Sequence, residues 1–148
     1  MKDYATNSKA NFDYEILETL EAGIVLEGQE VKSIKTGKAS IKGAYIKIFN
    51  NEAYLIGAIF SPYQPANTPD NYDPQRTRKL LLSKKQILTL NETSQTHGLT
   101  LIPLKLYGKK NIIKILIGIA RGKKKYDKRQ AIKKKDLARA KEKGVDYF

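Results

Sequence analysis

The sequence predicts a mainly β protein: a small closed antiparallel barrel with two or three flanking helices and a basic C-terminal tail, disordered when free. Three observations carry this reading. Short apolar runs punctuated by Asn, Gly and Pro recur along the first 120 residues, the pattern of strands joined by turns. Only two stretches have helical spacing. The charge also divides sharply after Ala120: residues 1–120 hold 16 basic and 11 acidic side chains, whereas residues 121–148 hold 12 and 4. The chain therefore divides into a barrel domain, 1–120, and a tail, 121–148, whose sparse apolar residues cannot repay its ordering entropy alone.

Phe12 to Leu26 is apolar and β-prone, with Gly23 marking a bulge or bend. Val31 and Ile34, three apart before Gly37, suit one or two helical turns with the glycine just past their end. Ser40 to Phe49 alternates and leads through Asn50-Asn51 into Ala53 to Ile56, a hairpin with turn-forming asparagines. Residues 61–75 form a loop, interrupted by Pro62, Pro65, Pro69 and Pro74. Lys79 to Leu82 begins another strand. Ser83 is an N-cap for a helix over 84–96 with Ile87, Leu88 and Leu90 facing inward, and Gly98 ends it. Leu99 to Leu106 and Asn111 to Ile119 form a second hairpin across Tyr107-Gly108-Lys109-Lys110. Five or six antiparallel strands with these helices fit the five-stranded oligonucleotide-binding (OB) barrel.

The chain carries 28 Lys and Arg against 15 Asp and Glu, a net charge of +13, which makes a polyanion the default partner. With no cysteine and one histidine, His97, disulfide frameworks, thiolate or His-rich metal sites and Cys nucleophiles are excluded. Glu15, Glu18 and Glu21 are the nearest thing to a carboxylate cluster, but at strand spacing they alternate faces. No P-loop, G-x-S-x-G or H-E-x-x-H occurs. No catalytic constellation, metal site or cofactor motif emerges, so a non-enzyme without cofactors is expected. The N-terminus lacks a signal-like apolar run, and no stretch approaches the ~20 residues of a membrane span. The expectation is a soluble cytoplasmic protein that uses no membrane and is a monomer when free.

Candidate nucleic-acid contacts fall in three places. Arg76, Arg78 and Lys79, with Lys84-Lys85 beyond, could neutralise phosphates. Lys32, Lys35, Lys38 and Lys42 surround the short helix. Tyr45, Tyr54, Tyr63 and Tyr72 offer faces for stacked bases, although Tyr45 and Tyr54 suit packing across the hairpin equally well. The tail is the most basic segment. Asp127 begins a run of good helix formers that Gly144 ends. Those seventeen residues would form a rod of ~25 Å that folds against phosphates. A membrane-lying helix would need an apolar stripe, and this segment offers only Ala131, Ile132, Leu137 and Ala138.

Several separated blocks add a resemblance. These are Phe12-Asp13-Tyr14-Glu15-Ile16-Leu17-Glu18-Thr19, Glu21-Ala22-Gly23, Gly28-Gln29-Glu30-Val31-Lys32-Ser33, and Arg76-Thr77-Arg78-Lys79-Leu80-Leu81-Leu82. Pro103-Leu104-Lys105-Leu106-Tyr107, Ala120-Arg121-Gly122-Lys123-Lys124 and Asp127-Lys128-Arg129 complete the order. Along nearly its full length the chain resembles the bacterial SsrA-binding protein family, also called small protein B. The resemblance implies an OB-type barrel that holds the tRNA-like part of transfer-messenger RNA. It also implies delivery of that RNA to stalled ribosomes in trans-translation, with the basic tail entering the small-subunit decoding centre and the empty mRNA channel. By motif it assigns RNA contacts to Glu30, Lys32 and Ser33, with Lys9 and Lys38 beside them. In the tail it points to Arg121, Lys123, Lys124, Lys125, Tyr126, Asp127, Lys128 and Arg129, followed by Lys133, Lys134 and Lys135. Glu30 has an alternative role, capping the short helix, and Asp127 is explained best as a helix start. Ser8 stands where the family more often has a basic residue, and Val145-Asp146-Tyr147-Phe148 does not continue the basic pattern. The alternatives are a generic RNA-binding barrel, such as a ribosomal or assembly protein, and an RNA-processing enzyme.

Overall fold

The computed structural model describes residues 2–122. Its strands are β1 (Lys2–Thr6), β2 (Tyr14–Ile24), β3 (Ala39–Ser40), β4 (Tyr45–Phe49), β5 (Glu52–Ile56), β6 (Ile59–Phe60), β7 (Arg78–Leu81), β8 (Leu99–Lys109) and β9 (Ile112–Gly122). The helices are α1 (Ala10–Asp13), α2 (Gly28–Lys35) and α3 (Lys84–Gln95), with a 3-10 turn at Pro65–Asn67. Seven strands form one antiparallel sheet in the order β1-β8-β9-β2-β7-β5-β4, and β3 pairs with β6 separately. Although β4 and β8 are far apart in that order, they lie in contact. The sheet therefore curls around a single core, with Phe60, Leu55, Leu80, Leu101, Leu106, Ile115 and Ile117 at its centre. The chain adopts the expected mainly antiparallel β architecture, with nine strands among the described residues where five or six were expected, and with three helices, of which α1 takes Phe12 and Asp13 out of the stretch expected as strand.

Both hairpin turns follow from local chemistry. Asn50 and Asn51 both take positive φ, 50° and 60°, as a two-residue turn matched to strand twist requires. In the second hairpin the strands run longer than expected, and the turn falls on Lys110 and Asn111 at φ 50° and 64°. Tyr107 to Lys109 belong to β8 because they pair with Ile112 to Lys114. Likewise β9 continues two residues past Ala120, where Arg121 faces both Glu15 and Leu99. Pro103, inside a central strand, is tolerated because a bulge interrupts the pairing with β9 between Pro103 and Lys105.

The helices show where pattern and packing part. Around α3, Ser83 and Gln86 form the reciprocal cap expected of an S-x-x-Q start, with bonds of 3.2 Å and 3.0 Å. Leu90 is buried as expected, but Leu88 is 59% exposed. Packing against the sheet uses a single narrow stripe of this helix, so the neighbouring apolar position is left in solvent. β1 was not anticipated. Its short polar sequence carries no apolar alternation, and it forms by adding to the free edge of β8. No helix among the described residues is long and apolar enough to cross a membrane.

Candidate nucleic-acid interface

A polar network centres on Glu30, which is completely buried in α2. Its Oε1 accepts from Arg76 Nη2 at 2.5 Å and its Oε2 from Arg78 Nε at 2.6 Å. The Glu27 backbone N–H also donates to Oε1, at 2.8 Å, closing a capping box at the start of α2. Burial pushes the carboxyl toward neutrality, but hydrogen bonds from Arg76, Glu27 and Arg78 outweigh it and hold the group below the usual glutamate range. Arg78 is equally buried. It donates to the carbonyls of Ala58 and Pro74, both at 3.0 Å, and its guanidinium lies 4.1 Å from the Phe60 ring centroid. One ion network thus ties α2 to β7, to the β5–β6 corner and to the end of the proline-rich loop.

That tie fixes the surface above it. Tyr72 donates to the Phe60 carbonyl at 2.6 Å and Ser61 N–H to the Lys38 carbonyl at 3.2 Å. Lys38 Nζ in turn donates to the Tyr63 carbonyl at 3.0 Å, while Lys32 Nζ lies 5.8 Å from the Tyr63 ring centroid. Lys32, Lys38 and Tyr63 are therefore brought together at the exposed end of α2. Two ammonium groups and an aromatic face at one place can meet a phosphate and a base.

The remaining expected contacts are distributed differently. Glu30, Ser33 and Arg78, all expected as contacts, are fully buried. The structure gives Glu30 and Arg78 an internal role, and the Ser33 hydroxyl is buried without a partner among the described residues. The signal for Arg78 lay in the period-two pattern of β7: Arg78 shares the inner face with Leu80, while Lys79 and Leu81 point outward. Arg76 is half-buried and its charge is spent on Glu30. Lys79 pairs with Glu52 at 3.2 Å, and Arg121 with Glu15 at 2.5 Å. Lys9 is exposed, at the start of α1. Lys123, Lys124, Lys125, Tyr126, Asp127, Lys128, Arg129, Lys133, Lys134 and Lys135 lie outside the described residues. Pattern reading also passed over a second polar pair across strands, in which the buried Tyr107 donates to Glu21. Burial and that bond push the Tyr107 hydroxyl's pKa well up. Among the described residues no three His, Asp or Glu side chains group as a metal site.

Comparison with known proteins adds scope. A family described as SmpB protein matches residues 4–147. A protein of Staphylococcus aureus named SsrA-binding protein is 50% identical over 135 residues, 91% of this chain and 87% of that one. The same name, identity and coverage apply to a protein of Enterococcus faecalis, and one of Enterococcus hirae is 48% identical. Among solved structures, a chain described under "tmRNA-SmpB: a journey to the center of the bacterial ribosome" superposes with a TM-score of 0.68 at 42% identity. That match covers 86% of this chain and 92% of the other.

Proposed function

Because the chain belongs to the SmpB protein family, we propose that it is an RNA-binding translation-rescue factor acting in the cytoplasm without catalysis. Its barrel holds the tRNA-like part of transfer-messenger RNA and brings it to stalled ribosomes. The basic segment after Gly122 enters the decoding centre and the empty mRNA channel. The observation that carries this reading is the family match across residues 4–147, which takes in both the barrel and the basic segment. The geometry agrees with a division of labour. On the barrel, Lys32, Lys38 and Tyr63 are held by an internal network, as recognition of a folded RNA by shape requires. The residues from 121 onward concentrate charge, as attraction to phosphate requires.

The test is a titration of the full chain and of a variant ending at Gly122 against transfer-messenger RNA and bulk tRNA at two salt concentrations. Both proteins should prefer transfer-messenger RNA, and the shortened one should show the shallower salt dependence. It should also fail to support peptide tagging on ribosomes stalled at the end of a message. If neither protein discriminates between the RNAs, the reading fails and a generic basic RNA binder remains.

A further inference from the structure

A groove separate from the α2 platform lies where α1, the β3–β4 turn and β8 meet. It has a volume of about 390 Å³ and is lined by Lys9, Asp13, Tyr14, Lys42, Tyr45 and Thr100, among others. Its apolar floor comprises Ala10, Ala44 and Ile102, all buried. That volume suits one nucleotide and is too small for a duplex. We propose that this groove takes a single unpaired nucleotide of transfer-messenger RNA, with its phosphate between Lys9 and Lys42 and its base on the Tyr45 ring. The proposal rests on the reading of the chain as a transfer-messenger RNA binder and adds a second contact surface to it.

The two lysines are presented by braced turns. Asn7 holds the segment before Lys9 against β8: its backbone N–H donates to the Leu104 carbonyl at 2.8 Å and its side-chain amide to the Pro103 carbonyl at 3.1 Å. Ala10 N–H closes the turn onto the Asn7 carbonyl at 3.1 Å. On the opposite wall, Gly43 at φ +77° and the bond from Ala44 N–H to the Ile41 carbonyl form the tight turn that carries Lys42. Among the described residues neither Lys9 nor Lys42 has a carboxylate within 4.0 Å, in contrast to Lys79, Lys105 and Lys109. Their charge is uncompensated and complementary to phosphate. Tyr45 begins the sheet-edge strand β4 and is 46% exposed, so its ring is available for stacking. Asp13, also in the lining, would oppose a phosphate at its own position.

The experiment measures binding of full-length transfer-messenger RNA to the full chain and to Lys9→Ala, Lys42→Ala, Tyr45→Ala and Tyr45→Phe variants across a salt series. The exposed Lys110→Ala, in the distant β8–β9 turn, serves as control. Each groove lysine variant should flatten the log–log salt slope by about 0.7. Tyr45→Ala should weaken binding roughly tenfold, while Tyr45→Phe, which keeps the ring and the strand, should bind within twofold of the parent. Chemical probing should show one transfer-messenger RNA nucleotide that loses protection with Tyr45→Ala and regains it with Tyr45→Phe. The proposal is overturned if the groove variants bind like the parent, if Lys110→Ala is as damaging as they are, or if Tyr45→Phe is as weak as Tyr45→Ala. In each of those cases the parent's preference for transfer-messenger RNA over tRNA would still stand. Loss of that preference would instead overturn the functional reading itself.

Discussion

Replacing Glu30 by Ala is the sharpest test of the idea that an internal ion network positions the α2 surface. The substitution removes the acceptor of three hydrogen bonds, from Arg76, Arg78 and the Glu27 backbone. Arg76 is 34% exposed at its side chain and can turn to water, but Arg78 is fully enclosed. Arg78 keeps its bonds to the Ala58 and Pro74 carbonyls yet has no counter-charge. Leaving a buried charge uncompensated costs about 3–5 kcal/mol, and the cap contributes part of that rather than adding fully to it. Against a typical total of about 5–15 kcal/mol, the loss should appear in urea denaturation at pH 7, followed by circular dichroism, as a large fall in midpoint at constant m-value. The melting temperature should drop by roughly 10–20 °C. A second variant carrying Glu30→Leu with Arg78→Met removes both charges and should recover at least ~2 kcal/mol, because apolar replacement of a whole buried pair is often neutral. The folded Glu30 carboxyl lies below its ordinary value of 4.5, so the unfolded chain binds the proton more readily. Its contribution to stability is complete above about pH 5 and is lost as pH falls through the folded value. The gap between parent and Glu30→Ala should narrow only in that acidic window. A loss below ~1 kcal/mol at pH 7, or a gap insensitive to acid, would refute the reasoning.

Two further outcomes follow from local geometry. Lys110 and Asn111 both sit at positive φ, so exchanging the pair for Asn-Gly should raise stability by about 0.5–1 kcal/mol, read as a higher urea midpoint. Ser83→Ala removes the cap bond to Gln86 N–H and should cost ~1 kcal/mol by the same assay.

The strands that alternate and the turns that need Asn were legible in the sequence, as β4, β5 and the Asn50-Asn51 turn show, although the strand expected from Ser40 is broken by the turn over Ile41 to Ala44 that separates β3 from β4. The parts that were not legible depend on partners distant in the chain. β1 is a strand because the edge of β8 offers it hydrogen bonds, whatever its own polar composition. The segment 76–79 reads as one basic run, but the strand begins at Arg78 and sends it inward, leaving Lys79 outside. Glu30 was legible as a helix cap. Its ion pairs with residues 46 and 48 positions away were not. The residues of the α2 platform illustrate both cases. Lys32 and Lys38 were legible as surface cations, while their convergence on Tyr63 depends on a loop whose path local pattern does not determine.

This sorting changes what the positive charge can do. Of the expected RNA contacts among the described residues, Arg76, Arg78 and Lys79 of the barrel and Arg121 at the start of the tail each lie within 4.0 Å of a carboxylate. A cation already neutralised by the protein gains little by exchanging that partner for a phosphate, and a buried one cannot make the exchange without unfolding its surroundings. Lys9, Lys32 and Lys38 have no such partner among the described residues, and neither does Lys42. If those four alone meet phosphates, the salt slope of the protein ending at Gly122 should be close to −3. Using all 16 basic residues of positions 1–120 would give a slope several times steeper. A shallow slope combined with retained preference for transfer-messenger RNA would mean that the barrel recognises its partner by where a few cations and rings are held. The bulk electrostatic attraction would then belong to the segment beyond it, whose net charge from 121 to 148 is +8.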